Sequence, residues 1–532
     1  MKKHFSGLSL LAVLSLATLN QTVLAQTERK VDPWFQEGLF IYDITSNAIN
    51  PANLVNLPYS GLNDIDISYS GDKGYYRTYD GSTKSRLFNA NVFGVRQFER
   101  LSFKGNINYS NHYNEDMRWN ATTLTSALNP FLLADTLRYD SLTNDSRTES
   151  FVINGAVAYK LNDRFTAGVS AKYNVSHKTD QSDPRMKANA ARTTVIPGLN
   201  WTINSSFTLG LAGLFEVYHE NVNSTVQDNM IGDHNKVYIY KGLGGYEGKD
   251  GLGYNRRYDG HKFGGSLNFS ITGILNNFTE IRFVSNSENA VDGGTSYSYK
   301  GGDFSQTSIS LSSRFMLNRN DKLQHDLILE AGFDKCDGTW YNQKQKKDSW
   351  KMTEYEVTST ELIHKESDMT ASLSYMANFL KSGIPHLSLT ATGAYKQVDI
   401  KQFPDGNYAK YTRINAGLTL NKKWIAKKMR YTTQVYAGMN HALKPLDISV
   451  ALNDAPTKRF YYGYYLPKYT YLSSNDYCVS LKLGASYPLS LFSQAGWLNL
   501  TMDASLNKYT GDSSILTGTD KKAFGIKLNY TF

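Results

Sequence analysis

The chain ends Lys522-Ala523-Phe524-Gly525-Ile526-Lys527-Leu528-Asn529-Tyr530-Thr531-Phe532. Phe524, Ile526, Leu528, Tyr530 and Phe532 alternate with Ala523, Gly525, Lys527, Asn529 and Thr531. A period of two puts the first set on one face of an extended strand and the second on the other, whereas a helical period would scatter both around a cylinder. The pattern recurs upstream. Leu101, Phe103, Gly105, Ile107 and Tyr109 oppose Ser102, Lys104, Asn106, Asn108 and Ser110, and Leu498, Leu500, Met502, Ala504 and Leu506 oppose Asn499, Thr501, Asp503, Ser505 and Asn507. Phe165, Ala167, Val169, Ala171, Tyr173 and Val175 oppose Thr166, Gly168, Ser170, Lys172 and Asn174. Each strand thus has one apolar face and one face of small hydrophilic residues, which suits a wet or plugged lumen better than a dry core.

A period-two strand ending flush with an aromatic carboxy-terminus resembles the closing strand of Gram-negative outer-membrane β-barrels, with Phe532 as the address read by the barrel assembly machinery. The resemblance implies an all-β, antiparallel, up-and-down transmembrane barrel in the cell outer membrane, in contact with lipid and lipopolysaccharide. The start of the chain agrees. Lys2 and Lys3 precede the apolar stretch from Leu8 to Leu19, and Val23-Leu24-Ala25 is a small-residue cleavage pattern, so residues 1–25 are expected to be a signal peptide. Beyond Ala25 there is no apolar run of about eighteen residues, the length a membrane helix needs.

Composition points the same way. The 41 glycines, 37 tyrosines and 25 phenylalanines of the 532-residue chain, at a mean hydropathy of −0.44, suit one large half-polar sheet, because a barrel strand needs only one apolar face. The net charge is +9, or +7 without the lysines of the leader. Scattered among acids, it fits outer loops facing anionic lipopolysaccharide and excludes nucleic-acid binding. Cys336 and Cys478 lack the spacing of a metal or redox motif and are expected to be free thiols, with a disulfide as the alternative. No cofactor is expected.

Tight turns are predicted at Phe98–Arg100, Leu161–Arg164, Asn204-Ser205, Leu275–Asn277, Asn318–Asp321, Lys381–Gly383, Asn421–Lys423 and Ser490–Ser493. Between them lie long polar segments: Asn114–Ser150, Thr179–Ala190, Glu220–Gly260, Asn286–Asp303, Asp337–Ser367 and Leu443–Asp476. Short periplasmic turns and long extracellular loops are the asymmetry of such barrels. The count comes to about eighteen strands over residues 62–532, with sixteen or fourteen as alternatives.

Residues 26–61 have neither strand alternation nor a helical face, and Pro33, Pro51 and Pro58 interrupt them. The Asn47-x-x-Asn50-Pro51-Ala52 segment within them resembles the fatty-acid-transporter-like barrels, whose amino-terminal hatch carries an Asn-Pro-Ala turn in the lumen. That resemblance makes Trp34, Phe35, Asn50, Pro51 and Ala52 candidate hatch residues. A folded plug domain of more than a hundred residues has no room before Leu62.

In the segment from Lys458 to Tyr471, Tyr461, Tyr462, Tyr464, Tyr465, Tyr469 and Tyr471 crowd together among basic neighbours. Tyrosine suits stacking on a sugar or capping a partner protein, so these form a candidate loop binding surface; a hairpin with its rings packed on neighbours is the other reading. The segment from Lys241 to Tyr254 repeats Gly-Leu-Gly without a phosphate- or calcium-binding arrangement and is expected to be a flexible lid. Alternation places Arg314, Asp326, Glu330, Asp334, Lys482, Asp503 and Lys527 on the inner wall, as charges that set ion preference or hold a plug. The histidines are dispersed and form no Ser-His-acid set, so an enzyme is not expected. The leading functional class is a channel or hatch-gated uptake protein for small solutes, amphipathic ones included. An alternative is a membrane-embedded subunit presenting its loops to an outer-membrane partner protein. A rim enzyme ranks last.

Overall fold

The computed structural model describes residues 44–45, 47–57, 61–78, 80–117, 121–134, 144–227, 236–293, 298–320, 322–347, 353–381, 384–491, 494–511, 515–516 and 518–532. The expected signal peptide, Trp34 and Phe35 lie outside these. The strands are β1 Gly61–Gly74, β2 Lys84–Gln97, β3 Leu101–Met117, β4 Leu133–Ala134, β5 Asn144–Lys160, β6 Phe165–Asp180 and β7 Arg185–Asn204. They continue as β8 Phe207–Thr225, β9 Lys236–Tyr240, β10 Tyr246–Asp250, β11 Asn255–Ile271, β12 Leu275–Asp292, β13 Tyr299–Asn320 and β14 Leu323–Lys347. Last come β15 Thr353–Lys381, β16 Ile384–Gln402, β17 Tyr408–Ala426, β18 Met429–Ser449, β19 Asp476–Leu491, β20 Gln494–Tyr509 and β21 Asp520–Thr531.

All but β4, β9 and β10 form one 18-stranded antiparallel sheet that closes on itself, because β21 pairs with β1 from Asp64↔Thr531 to Gly74↔Lys521. The terminal residue completes the seam: the Phe532 and Asn63 backbones exchange N–H···O bonds of 3.0 and 2.8 Å. Closure leaves no open edge in the wall, so the strands satisfy one another's backbone groups, with an interruption of the β7–β8 ladder between Val195↔Phe215 and Gly198↔Ala212. The outward residues are those the alternation predicts: Phe524, Ile526 and Leu528 are exposed on β21, while the intervening Lys527 reaches inward to Asp66 at 3.3 Å. Near the short turns, stacked rings of Phe165 with Trp201 and of Trp424 with Tyr431 mark an aromatic girdle at one membrane boundary. Cys336 and Cys478 are both free thiols.

Several boundaries differ from the sequence reading. Asn421–Lys423 lies inside β17, whose pairing with β18 runs on to Ala426↔Met429, and the reversal is made at Lys427, which holds φ 56°. Polar residues can occupy the lumen face of a strand as readily as a turn, so Asn-Lys-Lys was no stop signal. The segments 179–190 and 337–367 are mostly strand: β6 and β7 are joined across 181–184, and β14 and β15 extend 25 and 29 residues. A tilted membrane crossing needs only about 9–11 residues, so these two stand well clear of the bilayer.

Asn286–Asp303 is likewise mostly strand, in β12 and β13, whereas the described parts of 114–150, 220–260 and 443–476 that lie outside the wall fold inward. β4, β9 and β10 form a small sheet, with Leu133 opposite Ile239 and Tyr240 opposite Tyr246. Residues 455–472 form helix α1 (Ala455–Phe460), a π turn (Tyr461–Tyr465) and helix α2 (Leu466–Leu472). Together these elements cap the outer mouth, and among the described residues the two largest apolar clusters lie between the cap and the inner wall.

Candidate functional site: a lumen with two closures

The inner segment begins at Asn50, the N-cap of a 3-10 helix spanning Pro51–Asn56 that packs on the wall. Its Oδ1 accepts from the Ala52 N–H at 3.0 Å, while its Nδ2 donates to Asn200 Oδ1 at 2.8 Å and Asn268 Oδ1 at 3.0 Å on the wall. Asn200 in turn donates to Asn53 Oδ1 at 2.8 Å. Each of these bonds uses a side chain on at least one side, so the short turn is tied to β7 and β11 without adding a strand. Pro51 suits this place because it lacks an N–H at a helix start, where that group would have no helical partner. Leu54 and Val55 pack on Ala158, and Gln97 donates to the Val55 carbonyl at 2.6 Å.

The wall is shaped for this contact. Gly168 and Gly198 face one another across β6 and β7. A Cβ on Gly198 would lie 2.1 Å from Asn50 Oδ1, and one on Gly168 would lie 2.7 Å from the Ala52 nitrogen. Asn50, Pro51 and Ala52, inferred from the sequence, are therefore brought together and buried against the wall. Residue 47 is held beside them: Glu280 accepts from the Ile49 N–H at 3.2 Å, and Arg282, paired with Glu280, donates to the Asn47 carbonyl.

Above lies a chamber of about 890 Å³. Its floor includes Asn47, Glu280 and Arg282, and its sides carry Ser308, Ser310, Ser312, Glu330, Asp334, Ser372, Lys396, Arg413, Asn415 and Asn440. Glu330 accepts from Ser372 at 3.2 Å and Asp334 from Gln306 at 2.9 Å. Arg314 and Asp326 are also inward, but they form a buried ion pair with each other and do not line this chamber. Lys482 sits directly opposite Asp503 on the far wall. Among the described residues no group of three or more His, Cys, Asp or Glu could hold a metal ion.

The outer closure rests on charges that the sequence reading missed. Glu220, fully buried on β8, accepts from the N–H groups of Thr123, Leu124 and Thr125, the last two at 2.9 and 2.8 Å. Glu288 on β12 accepts from Asn129 Nδ2 at 2.9 Å. Arg256 on β11, fully buried, pairs with Asp292 at 3.0 Å and donates to the Phe131 carbonyl at 3.0 Å, where Tyr258 also donates at 3.1 Å. Buried charges are tolerated when each is paired or fully hydrogen-bonded, and here the orphan backbone of 121–134 supplies the partners. Their signal was present: inward parity at the outer ends of β8, β11 and β12, opposite apolar runs such as Phe131-Leu132-Leu133-Ala134 and Val237-Tyr238-Ile239-Tyr240.

The tyrosine-rich segment is the clearest correction. Tyr464, Tyr465 and Tyr469 are buried with Phe460 against Tyr238, Tyr240, Val398, Ile400 and Tyr411, so they are cap core and not a binding surface. Tyr240 and Tyr464 stack at 4.8 Å, and Tyr465 donates to the Gly242 carbonyl at 2.6 Å. Tyr471 lies against Tyr76 at 4.8 Å; Tyr461 is half-buried, and only Tyr462 of the six is open to solvent, at 52 %. Burial pushes the phenols of Tyr464, Tyr465 and Tyr469 well above their ordinary value. The expected lid at 241–254 is likewise fixed at its start. Gly242 holds φ 78°, a Cβ there would sit 2.1 Å from Gln402 Oε1, and Gln402 bonds both the Leu243 N–H and the Lys241 carbonyl, at 3.1 and 2.7 Å. Lys241 lies 3.9 Å over the Trp340 ring, and burial pulls its ammonium down from the ordinary value against the opposing pull of Glu247.

No curated protein matches the chain. Among solved structures it is similar to BauA, the ferric preacinetobactin receptor of Acinetobacter baumannii, at 9% identity and TM-score 0.39 over 89% of this chain and 80% of that one. It is similar also to the alcaligin outer-membrane receptor FauA of Bordetella pertussis, at 9% identity and TM-score 0.40 over 89% and 76%. A Pseudomonas aeruginosa FadL homologue matches at 11% identity and TM-score 0.33 over 92% and 94%. The closed barrel, its apolar exterior and its polar interior make this a β-barrel protein of the outer-membrane kind. Residues 51–532 match the profile described as a family of unknown function (DUF6850), and the chain belongs to that family.

Proposed function

We propose that this barrel is a gated uptake protein for small polar or amphipathic solutes. In this reading the outer cap admits a solute, the chamber holds it, and residues 47–57 form a hatch that releases it to the periplasm. The observation that supports it is the chamber itself: a space of about 890 Å³ whose lining includes serine hydroxyls and charges of both signs, with Asn47 of the inner segment at its floor. The volume is in the range that holds a small-molecule ligand.

Planar-bilayer conductance and liposome swelling test the proposal. Deleting residues 31–58 while keeping the signal and all strands opens the chamber from the periplasmic side only, since the cap stays anchored. Combining the deletion with Glu220→Gln and Glu288→Gln loosens both ends, and this variant should conduct steadily and pass sugars or amino acids that the parent excludes. A folded, heat-modifiable triple variant with the parent's conductance would overturn the reading in favour of a sealed membrane-embedded subunit.

A further inference from the structure

The charges around the chamber are unevenly matched. Each of its cations already has a carboxylate: Arg282 pairs with Glu280, Lys396 with Asp368 at 3.3 Å, and Arg413 with Asp476. Two of its carboxylates have no cation in return. Glu330 accepts from the Ser372 hydroxyl at 3.2 Å, and Asp334 accepts from Gln306 Nε2 at 2.9 Å and from the Ser308 hydroxyl. All three donors are neutral, and among the described residues no lysine, arginine or histidine forms an ion pair with either acid.

The two acids share one inward face. Glu330, Gly332 and Asp334 are alternate residues of β14 and all line the chamber, with Glu330 and Asp334 about 13 Å apart along the strand at a rise of 3.3 Å per residue. Between them Gly332, opposite Ser310 on β13 and Thr370 on β15, raises no side chain, and a Cβ there would come within 2.9 Å of Thr370 Oγ1. The wall thus carries a track with a carboxylate at each end and hydroxyls beside a bare middle. A third acceptor adjoins the Asp334 end. Asp368, directly opposite Asp334 and only 6 % exposed, keeps its Oδ1 buried without a hydrogen-bond donor, although its Oδ2 faces Lys396. A buried carboxylate oxygen costs free energy until a donor meets it.

We propose that the chamber takes an elongated organic cation, a linear chain with ammonium groups toward both ends, lying along β14 from Glu330 to Asp334. This rests on the reading of the barrel as an uptake protein and names the class of its solute. One ammonium meets Glu330 and the other meets Asp334, with the Asp368 carboxylate directly across from the second. Charge-assisted N–H···O bonds of this kind are stronger than the neutral ones the two acids accept from the wall. The methylene chain between passes over Gly332, flanked by Ser310 and Thr370. A compact cation engages one acid only, and an anion or a neutral sugar leaves both without a counter-charge.

Spermidine, butylamine and magnesium at matched ionic strength are the probes, and the variant lacking residues 31–58 and carrying Glu220→Gln and Glu288→Gln gives them access in planar bilayers. Spermidine should block its current at a concentration about tenfold or more below that of butylamine or magnesium, because it alone engages both acids. Adding Glu330→Gln and Asp334→Asn should abolish that advantage, whereas Asp503→Asn on the far wall should leave it intact. Equal block by all three cations would overturn the ligand class while leaving uptake standing, as would block indifferent to Glu330→Gln and Asp334→Asn or equally weakened by Asp503→Asn. Failure of the folded, loosened variant to conduct would overturn uptake instead. Equilibrium dialysis of labelled spermidine against that variant in nanodiscs then decides the site separately: binding lost with Glu330→Gln and Asp334→Asn supports it, and absent or unaltered binding overturns it.

Discussion

Gly198→Val bears directly on how the inner closure is held. Valine suits a strand better than glycine, so the wall itself is expected to fold at least as well. Its Cβ, however, would lie 2.1 Å from Asn50 Oδ1 and 2.8 Å from Pro51 Cδ, far inside an ordinary contact, and the added methyl groups extend further into the turn. The turn must move by more than an ångström. Its Asn50 side chain then loses the bonds to the Ala52 N–H, Asn200 and Asn268. At about 1 kcal/mol net for each, the loss is about 3 kcal/mol. At 1.36 kcal/mol per factor of ten, local opening of the turn should become about 150-fold more frequent. If Leu54 and Val55 also leave Ala158, a further 1.5–3 kcal/mol or so per side chain is lost and the opening is larger still. The assay is hydrogen exchange at the Ala52 and Asn53 amides in nanodiscs, with heat modifiability as the control for barrel folding. Exchange at Ala52 within threefold of the parent, in a folded Gly198→Val barrel, would refute the idea that the glycine pair seats the Asn50–Ala52 turn.

Other expectations follow from the same geometry. Glu220→Gln removes a charged acceptor from three backbone N–H groups at a cost of about 2–3 kcal/mol, so the Leu124 and Thr125 amides should exchange at least tenfold faster while the wall strands keep their protection. Phe532→Asp leaves the backbone bonds to Asn63 available, so any fall in assembled, heat-modifiable protein in outer membranes reports recognition of the terminal aromatic; undiminished assembly would count against that role. A cysteine replacing Tyr462 should react with an impermeant maleimide on intact cells and one replacing Asp163 should not, with reversed labelling inverting the topology. Burial raises the folded-state pKa of Tyr464, Tyr465 and Tyr469 above the unfolded value near 10, so their contribution is fully present below that pH and fades as pH climbs through the raised folded values. Tyrosinate absorbance at pH 10 to 11 should therefore show Tyr464, Tyr465 and Tyr469 still protonated with the cap intact, and ionisation of all three in that window would mean the cap opens readily.

The wall of this protein was legible in the sequence because its cause is local. A strand between lipid and lumen must alternate, and the alternation of 522–532 already told which side chains of β21 meet lipid and which meet Asp66. The same parity placed Arg314, Asp326, Glu330 and Asp334 inside, and the strand count came out at the observed eighteen because tight turns recur at nearly every periplasmic reversal. Asn50-Pro51-Ala52 could be singled out as a turn, but its seat could not, since Gly168, Gly198, Asn200 and Asn268 are ordinary strand residues until the closed sheet brings them to one patch. The outer segments were misread for a related reason. Polar composition between strands marks a loop without saying which way it folds, and the partners that draw these loops inward are remote: Glu220 lies nearly a hundred residues from Leu124, and Tyr465 lies 223 residues from Gly242. Sequence alone determined the barrel because period-two burial acts between neighbours along one strand. Only the tertiary structure decided that its mouth is capped, because that depends on buried carboxylates, a buried arginine and tyrosines finding one another across the whole circumference.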